Sequence, residues 1–176
     1  MAEAPMVEVV VLVRRLAVGE GHLHQPSSPP LRLPLMADQR TSLRGHRRSA
    51  CGRNLLLQLP RGEALQPGDL LFSADGRVEV LVEAAPEPVM RVHSAEPLAL
   101  LQAAYHLGNR HVAMELHADY LVLLQDSVLA DLLRQRNLRV ECDEAPFLPE
   151  AGAYAGQGGG HAHSHAHRHA HGHDHP

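Results

Sequence analysis

Hydrophobic positions in the first half of the chain come in short runs, separated by turns rich in Gly and Pro. Met6 to Val13 is a β-branched run that predicts a buried strand. Gly19 to Pro30, rich in Gly, Pro and Ser, predicts a loop. Leu31 to Leu35 alternates apolar and polar around Pro34, as an edge strand does, because proline offers no amide to a neighbouring strand. Asn54 to Leu59, Leu70 to Phe72 and Val78 to Val82 read as further strands. The turns between them are Leu59-Pro60-Arg61-Gly62, Gln66-Pro67-Gly68-Asp69 and Ala74-Asp75-Gly76-Arg77, the last holding an Asp-Gly pair that tolerates positive φ. Short strands between such turns predict a small all-β domain.

The rhythm changes after Ala84-Ala85-Pro86-Glu87-Pro88. Val89 to Val92 predicts a strand. Pro97 to Leu107 places Leu98, Leu101, Ala104 and Tyr105 on one helical stripe, opens with Pro in its first turn, and is expected to stop at Gly108 as its C′ residue. His111 to Leu116 alternates, with Val112, Met114 and Leu116 on one face, and Tyr120 to Leu124 is another strand. Asp126 or Ser127 caps a helix running to Arg136, with Val128, Leu129, Leu132 and Leu133 apolar, and Leu138 to Glu141 closes as a strand. The order strand, helix, strand, strand, helix, strand predicts a ferredoxin-like split βαβ. Pro146 to Gly160, ending in a glycine run, predicts a flexible tether. The expected fold is thus α+β: a β domain over 1–85, a ferredoxin-like βαββαβ domain over 86–148, and a disordered Gly/His-rich tail over 149–176.

Composition narrows this picture. With no Trp, two Phe and three Tyr among 176 residues, the cores must be aliphatic. A net charge of −4 gives no reason to expect nucleic acid. Lys is absent, so all sixteen basic side chains are Arg. Five of these (Arg40, Arg44, Arg47, Arg48 and Arg53) cluster with His46, either as a solvated strand-and-turn surface or as a patch for an acidic protein partner. Cys51 and Cys142 form no CxxC pair and are expected to be small reduced core residues. The N-terminus has no basic leader, and Val7 to Val13 is too short to span a bilayer, so cytoplasmic residence without membrane attachment is expected.

The chemistry concentrates at the end. His161, His163, His165, His167, His169, His171, His173 and His175 occupy every second position of HAHSHAHRHAHGHDHP. Neutral imidazole suits Ni, Cu and Zn, and small spacers leave each ring free to swing in. Seven spacer positions filled by five residue types argue against a purification tag, usually an unbroken histidine run. Low-complexity drift without function is the other plain explanation. The pattern itself collects metal without choosing one, since raw affinity follows the Irving–Williams order.

A second histidine-bearing segment is YHLGNRHV at 105–112. With LPRG at 59–62, GDLL at 68–71, EAAPEPVMRV at 83–92, DSVLADLLRQ at 126–135 and PFLPEAGAY at 146–154 ahead of a histidine tail, it resembles the urease accessory UreE family of nickel metallochaperones. The resemblance spans nearly the whole chain. It implies a homodimer joined through the ferredoxin-like domains, in which His111 of each subunit meets its mate and binds one metal between them. His106, in the same motif, is expected to be structural. Some relatives carry histidines where this chain has Gln125 and Ser127, which puts extra surface metal sites in doubt here. His22, His24, His46, His93 and His117 match no motif position and are expected at polar surfaces. The resemblance also implies delivery of Ni(II) to the urease activation complex, including its accessory GTPase. No GxxxxGK[ST] loop occurs here, so nucleotide hydrolysis would be the partner's. A general zinc, nickel or copper store is the alternative. An enzyme is not expected, because no HExxH, GxSxG or clustered carboxylate–histidine set appears.

Overall fold

The computed structural model describes residues 8–19 and 29–151, in two sheets. The expectations for His22, His24 and His161 to His175 lie outside these residues.

The first sheet holds β1 (Val9–Leu16), β2 (Leu31–Leu35), β3 (Arg44–Arg48), β4 (Asn54–Gln58), β5 (Leu70–Ser73) and β6 (Glu79–Ala84) in the order β2-β6-β5-β1-β4-β3. β2 is an edge strand, as Pro34 predicts. Its core is aliphatic: Leu12, Leu33, Leu35, Leu55, Leu57, Leu59, Leu65, Leu71, Val80 and Val82 form one buried cluster. β1 runs further than expected at its C-terminal end, and of its early residues only Val10 and Leu12 are buried, so it is a one-faced strand. The turn at 66–69 is fixed by Asp69, which is fully buried. Its carboxylate accepts the amides of Val18 at 3.0 Å and Gln66 at 2.7 Å and meets the Arg15 guanidinium at 2.8 Å.

Three corrections fall in this half. The domain is not all-β, because Ala37–Thr41 forms a short helix, α1. Within it Arg40, expected on a solvated basic surface, is only 5% exposed. Its two terminal nitrogens donate to the Leu35 carbonyl at 3.1 Å and the Phe147 carbonyl at 2.6 Å. Burial pushes the Arg40 pKa down, while the carboxylates of Glu87 and Asp38 oppose that shift. Arginine's high intrinsic pKa keeps it charged at neutral pH regardless. Sequence pattern misses this because one buried cation among Arg44 and Arg48, exposed, and Arg47 and Arg53, partly buried, leaves no periodic trace. Cys51 is likewise exposed, not core, and its thiol pKa is held below the ordinary value, first by the Ser49 hydroxyl.

The second sheet holds β7 (Pro86–His93), β8 (Met114–Leu116), β9 (Tyr120–Leu124) and β10 (Arg139–Pro146), with helices α2 (Pro97–Gly108) and α3 (Ser127–Gln135) between β7 and β8 and between β9 and β10. The strand order is β10-β7-β9-β8, every neighbour antiparallel. Only Ala85 separates β6 from β7, so the expected boundary is a direct strand-to-strand passage. Met90, Val92, Leu121, Leu123 and Met114 pack one face of the sheet against Leu100, Ala103 and Leu107 of α2 and Ala130 and Leu133 of α3. Asp126 caps α3, as expected, by accepting the Leu129 amide at 2.9 Å. No helix among the described residues is long and apolar enough to cross a membrane.

Four expectations change here. The helical stripe Leu98, Leu101, Tyr105 faces outward, at 65%, 67% and 68% exposure, while Leu100, Ala103 and Leu107 turn inward. The helix is apolar almost all round, so periodicity alone selects no face. β10 is eight residues long, not four, pairing from Arg139 opposite His93 to Pro146 opposite Pro86. On it Cys142 is exposed, again not core. The tether expected from Pro146 does not begin there either. Phe147 is fully buried with Val89 and Val122, on the face of the sheet away from the helices, and the chain remains hydrogen-bonded through Glu150.

Candidate metal centre

The turn that carries His111 is built by the end of α2. The helix runs through Gly108, and Gly108 is not the left-handed residue expected of it. That conformation falls on His111 itself, at φ 57°. The His111 amide donates to the Gly108 carbonyl at 2.9 Å, and the Val112 amide reaches back to the Leu107 carbonyl at 3.1 Å. Paired bonds of this kind around a left-handed residue form a Schellman motif, in which the C′ position is usually glycine. Leu107 and Val112 share one apolar cluster, supplying the hydrophobic contact that accompanies the motif.

A β-carbon in the left-handed region costs roughly 1–2 kcal/mol. Non-glycine residues held there gather at functional sites, where the surrounding structure fixes the strained conformation. Here the fold places an imidazole at a C′ position that glycine usually fills, in a region that histidine enters more readily than most side chains. His111 is solvent-exposed. β8 begins only at Met114, so His111 belongs to the turn and not to a strand.

His106 is half-buried. It lines a notch of about 50 Å³ between α2 and α3 with Leu107, Arg110, Leu132 and Arg136, and its ring lies edge-on to Tyr105 at 5.5 Å. That setting suits the structural role expected of it. His46 is exposed, as expected. His93 and His117 are more organised than expected. The His117 ring stacks on Tyr120 at 4.1 Å with its Nε2 2.9 Å from Glu115 Oε2, and His93 lies beside the same tyrosine with its Nε2 3.7 Å from Glu141 Oε2. Gln125 and Ser127 are exposed, and the Gln125 amide points at the Cys142 sulfur, 3.6 Å away.

Among the described residues, no three His, Cys, Asp or Glu side chains are grouped to hold an ion. One imidazole on an exposed turn is half of a linear pair or a quarter of a tetrahedral set.

Comparison with known proteins agrees with the motif reading. Residues 14–85 match the model of the UreE urease accessory protein N-terminal domain, and residues 87–175 match that of its C-terminal domain. A urease accessory protein UreE from Synechococcus sp. (strain WH7805) is 56% identical over 146 residues, 83% of each chain. The one from Parasynechococcus marenigrum (strain WH8102) is 53% identical over 148 residues, covering 84% of this chain and 95% of that one. A third, from Thermosynechococcus vestitus, is 53% identical over 124 residues, covering 70% of this chain and 86% of that one. With both family models matched in order and relatives this similar along most of their length, the chain belongs to the UreE urease accessory protein family, a family of accessory chaperones in urease maturation and not of enzymes.

Proposed function

We propose that the protein is a metallochaperone that binds Ni(II) and delivers it to the urease active-site assembly complex. The observation that carries this reading is the left-handed, exposed His111 closing the YHLGNRH turn. A residue held against its own backbone preference on a turn with no competing side-chain role is best explained by a ligand. Family membership supplies the link to urease maturation.

A homodimer completes the site in this proposal. Two-fold symmetry converts one imidazole per chain into a facing pair. Leu98, Leu101 and Tyr105 face outward on the helix that precedes the His111 turn, and exposed apolar side chains of this kind favour association. The second sheet, with its order β10-β7-β9-β8 and two helices on one face, supports assigning 86–148 as a ferredoxin-like metal-binding and dimerisation domain. Residues 1–85 are assigned to partner contact, and 149–176 to metal collection through His161, His163, His165, His167, His169, His171, His173 and His175. The partners are the urease activation complex and its accessory GTPase, the compartment is the cytoplasm, and Zn(II) and Cu(II) compete for the same imidazoles.

A calorimetric titration with Ni(II), Zn(II) and Cu(II) tests this on the whole chain, on a chain ending at Gly160, and on His111→Ala. A tight site that persists without the tail, at one ion per two chains, and disappears in His111→Ala is expected. If all tight binding leaves with the tail, the general storage reading takes its place.

A further inference from the structure

We propose that residues 147–150 form a strap that carries the root of the histidine-rich segment across the second sheet, from the β10 edge to the β8 edge beside His111, and that Glu115 and Arg40 are the positioning residues that hold it. The inference rests on the metal-binding reading above and adds a device that serves it.

β10 and β8 are the two outer strands of the order β10-β7-β9-β8. Strands lie about 4.8 Å apart, so a chain leaving β10 starts about 14 Å from β8. The strap closes that gap along the helix-free face. Phe147 is its plug, packed on Val89 of β7 and Val122 of β9, with Tyr120, Ala145 and Ala37 around it. From the first domain, Arg40 donates to the Phe147 carbonyl at 2.6 Å, beside the buried Glu87, whose Oε1 accepts the Ala37 amide at 2.8 Å. On the far side, the Leu148 amide donates to Glu115 Oε1 at 2.6 Å and the Glu150 amide to the Met114 carbonyl at 2.8 Å. Glu115 is opposite Val122 in the strand register, so it stands on the same face as the plug. Its other oxygen, Oε2, is 2.9 Å from His117 Nε2. Both carboxylate oxygens are thereby engaged, one by the strap and one by His117.

Met114 follows His111 by three residues, so the fastened strap ends within about 10 Å of that turn along the chain. From Glu150 to His161 the chain extends at most about 40 Å. The first tail imidazole therefore has His111 within its span. Releasing the strap would move the point of departure to Pro146 at the opposite edge and lengthen the connection, and effective concentration falls with both changes.

The test uses the full chain carrying Glu115→Ala, with Glu115→Gln as the variant that keeps an acceptor oxygen. Leu148→Pro removes the donor from the other side, should the sheet substitution fail to fold. Two readouts are taken: amide hydrogen exchange of Leu148 and Glu150, and Ni(II) affinity with and without residues 161–176. Glu115→Ala and Leu148→Pro are expected to speed exchange and to weaken Ni(II) binding by the full chain about three- to tenfold. Neither should change the affinity of the chain ending at Gly160, and Glu115→Gln should restore both readouts. Equal losses with and without the tail would mean that Glu115 acts on the His111 turn itself, and the strap proposal would fall. So would released amides with unchanged full-chain affinity, or fast exchange of Leu148 in the native protein. An unaltered Ni(II) affinity in His111→Ala would instead remove the metal reading, and with it the strap's purpose, while the exchange data would still report whether the strap is held.

Discussion

Replacing His111 by glycine should stabilise the metal-free protein even as it removes the proposed ligand. The residue sits at φ 57° in the C′ position of a Schellman turn, with its side chain exposed. A β-carbon in that region costs about 1–2 kcal/mol, and glycine avoids the cost. Against this, glycine has more unfolded-state freedom to lose, about 0.5–1 kcal/mol. The net gain expected for His111→Gly over the wild type is therefore about 0.5–1 kcal/mol. His111→Ala keeps the β-carbon and should stay near the wild-type value, so it isolates the backbone effect. For a chain of this size, such a gain raises Tm by about 2 °C. Urea denaturation in chelator, with the m value held constant, measures it free of metal linkage. A His111→Gly protein no more stable than His111→Ala would refute the strain argument, and with it the claim that the imidazole is placed there against local preference. The combination sought is a more stable fold that no longer binds Ni(II) between subunits.

Three further outcomes follow from the described geometry. Asp69→Ala leaves the Val18 and Gln66 amides without their acceptor at a fully buried position, while Arg15 keeps the Glu63 and Ala64 carbonyls, and should destabilise the first domain by about 2–4 kcal/mol in chemical denaturation; a loss below about 1 kcal/mol would contradict the role given to that carboxylate. Ligation requires unprotonated imidazole, so bound Ni(II) should be released as pH falls through about 6.5 and below, and an occupancy by equilibrium dialysis that is flat from neutral to mildly acid pH would oppose imidazole ligation. The Ser49 hydroxyl, 3.2 Å from the Cys51 sulfur, is the largest cause holding that thiol pKa down, which enlarges the thiolate fraction near neutral pH. Ser49→Ala should therefore slow alkylation of Cys51 by iodoacetamide at pH 7.5, read by mass spectrometry, and an unchanged rate would dismiss the hydroxyl's influence.

Most strands and both longer helices were legible in the sequence because their signals are local: runs of Val and Leu, the Asp126 cap, the Asp-Gly hairpin, Pro97 at a helix start. The aliphatic character of both cores followed from the near absence of aromatics. YHLGNRHV marked His111 before any fold was in view. What stayed hidden depended on residues distant in sequence. Arg40 looks like the neighbouring arginines until Phe147, 107 positions away, supplies a carbonyl that its guanidinium donates to. Pro146 and Phe147 look like the start of a tether until the sheet's free face offers Phe147 an apolar seat on Val89 and Val122. α2 carries apolar residues on both sides, and only the placement of β7 and β9 decided that Leu100, Ala103 and Leu107 face the core and Leu98, Leu101 and Tyr105 face out. Periodicity and capping are set by neighbours a few bonds apart, so a sequence determines them. Which face is buried, which charge is enclosed and where a chain end is fastened depend on surfaces that exist only after the sheets have formed.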